Sequence, residues 1–296
     1  MTQGDAKDVA QDRKTFRVSL IQMEVTASKE RNLETAMKLI RRAALDKPDV
    51  IALPENFYLM ESKEEFFRQA ETLDGKAVTE LRRLASELKV HIIAGTMKMR
   101  FSDTEKLRNT CLVLDPAGNI QAMYHKIHAF VGNVGGTRFR GTEVEEGGED
   151  IVVTDINGVR VGLSVCFDMR FPELFRILTL KGAQVIFVPS IFMLHTGKDH
   201  WETLLRARAI ENQVYIAAPA VCGQFPPKGD WSYGRSLVAD PWGIVIAQAP
   251  DYETVLTCDL DLSWIDTVRS RVPSLSHRRP QVYRKGWNEV EPGTGE

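Results

Sequence analysis

No apolar run in this 296-residue chain approaches the roughly 20 residues needed to cross a bilayer, so a membrane-spanning helix is excluded. Cysteine is sparse. Cys111, Cys166, Cys222 and Cys258 form no CxxC pair and no tight framework, which suits a reducing compartment. Charge bias is missing too. The 38 Lys and Arg nearly balance 40 Asp and Glu, and no basic stripe is present, so a nucleic-acid partner is not expected. There is no GxGxxG, and Gly197-Lys198 is no phosphate loop, because the preceding glycine and the following Ser/Thr are lacking. His195 and His200, in HTGKDH, lack the HExxH form and a completing ligand, so packing or capping roles are expected and a metal site is not. The first fifteen residues are polar throughout and offer no signal-peptide core. The expectation is a soluble, cytoplasmic globular protein.

What is present is a rhythm of short apolar runs and amphipathic stretches. Residues 16–23 and 50–53 read as strands, the second stopped by Pro54, with a helix over 32–44 between them. Helical pattern resumes over 64–88, broken near Asp74-Gly75. Residues 90–97 and 110–114 read as strands, and Asp115-Pro116-Ala117-Gly118 turns the chain into a hairpin arm over 119–124. The second half repeats the first. LIRRAALDKPDV (39–50) running into VIALP matches LFRILTLKGAQV (174–185) running into VIFVP at an offset of 135, and LVLDPAG (112–118) matches LVADPWG (237–243) at an offset of 125. Residues 16–23 have a counterpart in 159–166. Two matched halves, each with strands covered by helices, predict two packed sheets with helices outside in one α/β domain over 16–286. Polar tails are expected at 1–15 and 287–296. Residues 126–150, rich in glycine and acids, fit neither half and read as a functional loop.

Three residues stand out chemically. Cys166 ends a period-two strand, and Phe171-Pro172-Glu173-Leu174 then opens a helix. A thiol on such a strand-to-helix turn is exposed near a helix N-terminus, and both features favour thiolate; a buried structural cysteine is the competing reading. The other three cysteines lie in apolar strand contexts and read as structural. Glu55 follows a buried strand at its C-terminal end, where α/β proteins place their sites, and would take the thiol proton as general base; helix capping is its alternative. Its repeat partner is Ser190, so the architecture does not require an acid there. Lys126 leaves the hairpin strand. It is either solvated or, if it points inward, suited to stabilise an oxyanion. The run Trp201, Leu204, Leu205, Ala209 reads as ordinary helix packing with Arg206 and Arg208 toward the polar side.

Leu53-Pro54-Glu55-Asn56, His125-Lys126-Ile127-His128 and Cys166-Phe167-Asp168-Met169-Arg170-Phe171-Pro172-Glu173-Leu174 occur in this order, with Glu55, Lys126 and Cys166 spaced by 71 and 40 residues. Together they resemble the nitrilase superfamily of carbon–nitrogen hydrolases, nearest its Nit and ω-amidase-like branch. The likeness runs over about 16–283. It implies a four-layer α-β-β-α sandwich, homodimers or higher homo-oligomers, and no metal or cofactor. It also implies Cys166 as nucleophile, Glu55 as general base and Lys126 as oxyanion stabiliser. The N–H of Phe167 would be a second oxyanion donor, and Phe192 and Met193 would form pocket wall. Arg170, just after the turn, reads either as the partner of a substrate carboxylate or as a structural strut.

Two departures from the family pattern bear on substrate. Phe167-Asp168 stands where nitrilases carry Trp-Glu, which favours amides over nitriles. A second glutamate expected seven residues before the glycine of a Pro-Gly pair falls, counted back from Gly148, on Gly141. Either a change of loop length lets Glu143 or Glu145 serve, with Glu143 preferred, or that contribution is missing. The expected activity is cysteine-dependent hydrolysis of a small, carboxylate-bearing amide to an acid and ammonia. A nitrilase or carbamoyl-amide hydrolase is the alternative within enzymes, and a catalytically silent ligand-binding member the alternative outside them.

Overall fold

Strand β1 (Thr15–Gln22) alternates as its sequence requires, with Phe16, Val18 and Leu20 turned into one core and Ile21 into another. The protein, a computed structural model, is described over residues 14–134, 136–227 and 229–290. Helix α1 (Lys29–Ala44) starts three residues earlier than the apolar spacing indicated, because the Ser28 hydroxyl caps it by accepting from the Arg31 N–H at 3.3 Å. It crosses to β2 (Val50–Ala52), parallel to β1. Helices α2 (Lys63–Arg68) and α3 (Lys76–Leu88) lead to β3 (His91–Ile93), parallel to β2.

The single strand expected over 90–97 is split into β3 and β4 (Met97–Arg100). The cause is Gly95, at φ +43°, which passes so close to the backbone before Glu55 that a Cβ there would lie 2.0 Å from the Pro54 carbonyl oxygen. Strands β5 (Leu107–Leu114) and β6 (Ile120–His125) complete the first sheet antiparallel to their neighbours, and β7 (Val131–Val134) with β8 (Thr137–Arg140) forms a separate hairpin.

The second half is built alike. Strand β9 (Val153–Ile156) pairs antiparallel with β10 (Val159–Leu163). Helix α4 (Pro172–Leu180) then crosses to β11 (Val185–Phe187), and α5 (Leu194–Asn212) to β12 (Tyr215–Ala218). A small ribbon of β13 (Gln224–Phe225) and β14 (Asp230–Trp231) precedes the hairpin of β15 (Leu237–Ala239) and β16 (Val245–Gln248). Strand β17 (Thr254–Asp261) returns to pair antiparallel with β1, followed by α6 (Ser263–Arg271) and α7 (Pro280–Val290).

The duplication is real in three dimensions. The order β17-β1-β2-β3-β5-β6 in one sheet, with β4 on the other side of β5, mirrors β9-β10-β11-β12-β15-β16 in the other. Even the irregularities correspond: the first hairpin shifts register between Val113 and Leu114, the second between Val238 and Ala239, again 125 residues on. Phe16, Val18, Leu20 and Val113 share a core with Val161 and Leu163 of the second sheet, while Leu33, Ile40, Leu81 and Leu84 of α1 and α3 cover the first sheet's outer face. Helix α4 covers the second, with Leu178 against Gly162. This is the four-layer α-β-β-α sandwich.

Two expected boundaries shift. Strand β1 begins at Thr15, inside the expected tail, whose first thirteen residues lie outside the described ones; α7 runs through the boundary at 286 to Val290.

Candidate active site

Glu55, Lys126 and Cys166 come from three separate strand ends and meet in one buried cluster. Each is at most 7% exposed. Glu55 follows β2. Its Oε1 accepts from Lys126 Nζ at 2.8 Å and from Asn109 Nδ2 at 2.9 Å, and its Oε2 accepts from the Ile191 N–H at 3.1 Å. Burial alone would push this carboxyl up, but the ammoniums of Lys126 and Lys98 outweigh it and hold Glu55 below the usual carboxylate range. Burial would likewise strip Lys126 of its proton, yet the charges of Glu55 and Glu145 keep the ammonium firmly charged. Lys126 is set in place by its own N–H donating to the Asn109 carbonyl at 2.9 Å.

Cys166 sits at φ +46°, a left-handed conformation unusual outside glycine, on the sharp turn between β10 and α4. Its N–H donates to the Pro189 carbonyl at 3.0 Å, and its Sγ lies 3.4 Å from the Ile191 carbonyl oxygen. The turn is as expected; the ionisation is not. Burial first, and the facing Glu55 carboxylate second, push the thiol well above its ordinary range, with Lys126 only partly offsetting them. At rest the site therefore holds a neutral thiol beside an ionised carboxylate, and the two share a hydrogen-bonding interaction.

Asp168, fully buried, ties the turn to the segment carrying Lys126. Its carboxylate accepts from the Val165 N–H at 2.8 Å, the Tyr124 hydroxyl at 2.7 Å and the His128 N–H at 3.1 Å, with His128 Nδ1 2.8 Å away. Burial pushes the Tyr124 phenol up, so it stays a donor. The sequence reading used Asp168 only to weigh amides against nitriles. Arg208, expected on a polar face, is instead buried, with Nε donating to the Met169 carbonyl at 2.9 Å just beyond the turn.

The cluster forms the floor of a cavity of about 460 Å³. Phe167, Arg170, Phe192 and Met193 all line it, as does the tip of α5 at Thr196. Phe130, before β7, packs edge-on against Phe167 at 5.0 Å between ring centroids. The Arg170 guanidinium lies over the Phe192 ring at 5.3 Å and within 3.3 Å of His200 Nδ1. Glu143 is half exposed on the rim, bonded to Arg140 at 2.9 Å and Lys63 at 3.4 Å. Glu145, two residues on, is the buried one, its Oε1 2.7 Å from Lys98 Nζ. Among the described residues, no group of three or more His, Cys, Asp or Glu side chains is arranged to hold a metal ion.

Asn109 and Lys98 were missed in the sequence although a signal existed for each. Asn109 shares the inward face of β5 with Cys111 and Val113, and Lys98 stands alone between the buried Met97 and Met99. A polar residue at a core position of a strand must find partners, and both do.

A thiol, a carboxylate and an ammonium meeting at the strand ends of an α-β-β-α sandwich are the groups that hydrolysis through a covalent intermediate requires. The comparisons agree: the carbon–nitrogen hydrolase profile matches residues 17–270, and the chain belongs to that family. It is 36% identical over 270 residues to the ω-amidase NIT2 of Xenopus tropicalis, covering 90% of this chain and 96% of that one. To the human ω-amidase NIT2 it is 35% identical over 274 residues, covering 91% and 97%. The Caenorhabditis elegans NitFhit crystal structure superposes with a TM-score of 0.85 at 36% identity, covering 91% of this chain and 66% of that chain. Yeast Nit3, described as a member of branch 10 of the nitrilase superfamily, superposes with 0.81 at 29% identity, covering 90% and 97%.

Proposed function

We propose that this chain is an ω-amidase-type enzyme that hydrolyses a small carboxylate-bearing amide to the acid and ammonia through a thioester on Cys166. Cysteine-dependent amide hydrolysis is the reaction class. The observation that carries it is the buried contact of Glu55 with Lys126 beside the Cys166 thiol on the floor of the cavity. Glu55 takes the thiol proton as sulfur attacks the amide carbon. The Lys126 ammonium and the Phe167 N–H receive the oxyanion, each such donor contributing about 3 kcal/mol of barrier lowering. Collapse breaks the C–N bond, and the proton held by Glu55 passes to the leaving nitrogen, releasing ammonia. Glu55 then takes a proton from water, whose oxygen attacks the thioester carbonyl. The acid leaves, and the thiol recovers its proton. Glu145, rather than Glu143, fits the role of the loop carboxylate, because it is buried and its charge is felt by Lys126.

Arg170 and the α5 tip at Thr196 suit a substrate carboxylate at the far end of the cavity, the helix N-terminus adding partial positive charge. A homodimer is part of the proposal: Ile177, Leu180 and Ile210 on α4 and α5, with Trp242 and Ile244 in the turn between β15 and β16, leave large apolar side chains exposed. Four free cysteines fit a cytoplasmic setting.

The test is ammonia release from matched amide and nitrile forms of succinate- and α-ketoglutarate-derived substrates. Release from the amides, lost on esterifying the remote carboxylate, is expected. Release from nitriles would favour a nitrilase, and release from nothing a silent family member.

A further inference from the structure

We propose that Lys98 is a positioning residue of this site, holding Glu145 in place and supplying a second positive charge beside Glu55. The inference rests on the amidase reading above. Strand alternation puts Met97 and Met99 into the core under α1 and α3, and so sends Lys98 to the opposite face of β4, toward the cavity. There it is 7% exposed, 2.7 Å from Glu145 Oε1, with its ammonium 5.4 Å above the Phe66 ring. Glu145 reaches it because its N–H donates to the Gly141 carbonyl at 2.7 Å, while the Glu146 N–H donates to the Leu107 carbonyl at 2.9 Å and fixes the loop to β5.

Charge balance gives the pair its meaning. Glu55 and Glu145 are matched by Lys126 and Lys98, so the buried cluster is neutral before reaction. Sulfur attack moves negative charge onto the substrate oxygen while the thiol proton neutralises Glu55. Without Lys98 that charge would develop in a cluster already carrying one unpaired buried carboxylate, an arrangement opposed by both repulsion and desolvation. A surface strut would need neither burial nor a place on the cavity wall. The groups facing Glu55 are Lys126 after β6, Lys98 on β4 and the Cys166 thiol after β10; Lys98 faces Glu145 and Glu55.

The test is steady-state amide hydrolysis across the pH range with Lys98→Gln, which keeps a donor for Glu145 but removes the charge, and Lys98→Arg, which keeps both. Lys98→Gln is expected to lose roughly 10²-fold in kcat with KM little changed. The acidic limb of its kcat/KM profile should move to higher pH, because Glu55 loses one of the two cations that keep it ionised. Lys98→Arg should restore that limb. Wild-type kcat and an unmoved limb in Lys98→Gln, with the wild-type enzyme active, would overturn the role of Lys98 alone. A wild-type protein inactive on every amide would overturn the amidase reading instead. If thermal melts show Lys98→Gln unfolded, Lys98→Met, of similar length but uncharged, decides: a limb moved to higher pH supports the assignment, and a wild-type limb overturns it.

Discussion

The two halves of this protein share a backbone plan yet place different side chains at matching points. After β2 stands Glu55, and after β11, 135 residues on, stands Ser190, fully buried with its hydroxyl on the Val188 carbonyl at 2.9 Å. Cys166 ends the run that matches 16–23, where Met23 is its counterpart and is packed into the core under α1 and α3. Lys126 follows β6, and the residue 125 positions later is Asp251, paired at the surface with Arg235. The fold thus supplies strand ends at equivalent places twice, and only one set carries a carboxylate, an ammonium and a thiol. Architecture creates the location; a few side chains decide whether it does chemistry.

The largest effect is expected from taking the thiol out of the one set that carries all three groups. Cys166→Ala should reduce ammonia release by about 10⁴-fold or more while leaving the melt near that of the wild type, since the lost sulfur leaves only a small void. Substrate mixed with the wild-type protein should give a covalent adduct by mass spectrometry that the variant lacks. An active Cys166→Ala protein would remove the thioester from the mechanism.

The reverse graft sharpens the comparison. Ser190→Glu places a carboxylate at the equivalent site with no lysine to meet it, in a fully buried position. It should cost about 3–5 kcal/mol in urea unfolding and add nothing to turnover, because an unpaired buried charge is the expensive part of such a cluster. A tolerated Ser190→Glu would mean that the counter-charge matters less than the Glu55–Lys126 geometry suggests.

Much of this was legible in the chain. The repeat, the strand ends and the turn after Cys166 follow from periodicity and from Pro172, because those signals are local. What escaped depends on which elements face each other. Nothing near Asp168 in sequence announces that Tyr124 and His128 donate to it, since they lie 44 and 40 residues away. Arg208 looked solvated because helical spacing cannot show that its side of α5 packs on the turn that carries Cys166. The thiol's ionisation was misjudged for the same reason: the helix-terminus argument is local, whereas the desolvation and the Glu55 charge that outweigh it come from the folded cluster.

That correction can itself be tested. In the free enzyme, iodoacetamide should label Cys166 slowly near pH 8.5 and faster above it, because burial and the Glu55 carboxylate both favour the protonated thiol. Glu55→Gln removes the anion and leaves Lys126, so it should accelerate labelling at a given pH while abolishing turnover. Thiol reactivity and catalysis would then move in opposite directions. Equal labelling in Glu55→Gln would show that desolvation alone sets the thiol, and slower labelling that Glu55 activates it even without substrate.

The smallest effect separates two glutamates two residues apart. Glu143 meets Arg140 and Lys63 at the half-exposed rim, where such pairs contribute about 0–1 kcal/mol. Glu145 meets Lys98 in the buried floor. Glu143→Gln should therefore leave both kcat and the unfolding midpoint close to wild type, whereas Glu145→Gln should lower kcat by roughly 10²-fold, the scale of a misplaced catalytic group. If the two variants behaved alike, burial would be a poor guide to which acid in this loop serves the site. If Glu143→Gln were the more damaging, the loop would have to close over substrate so that the rim acid moves inward, and the distinction between floor and rim would hold only for the unliganded enzyme.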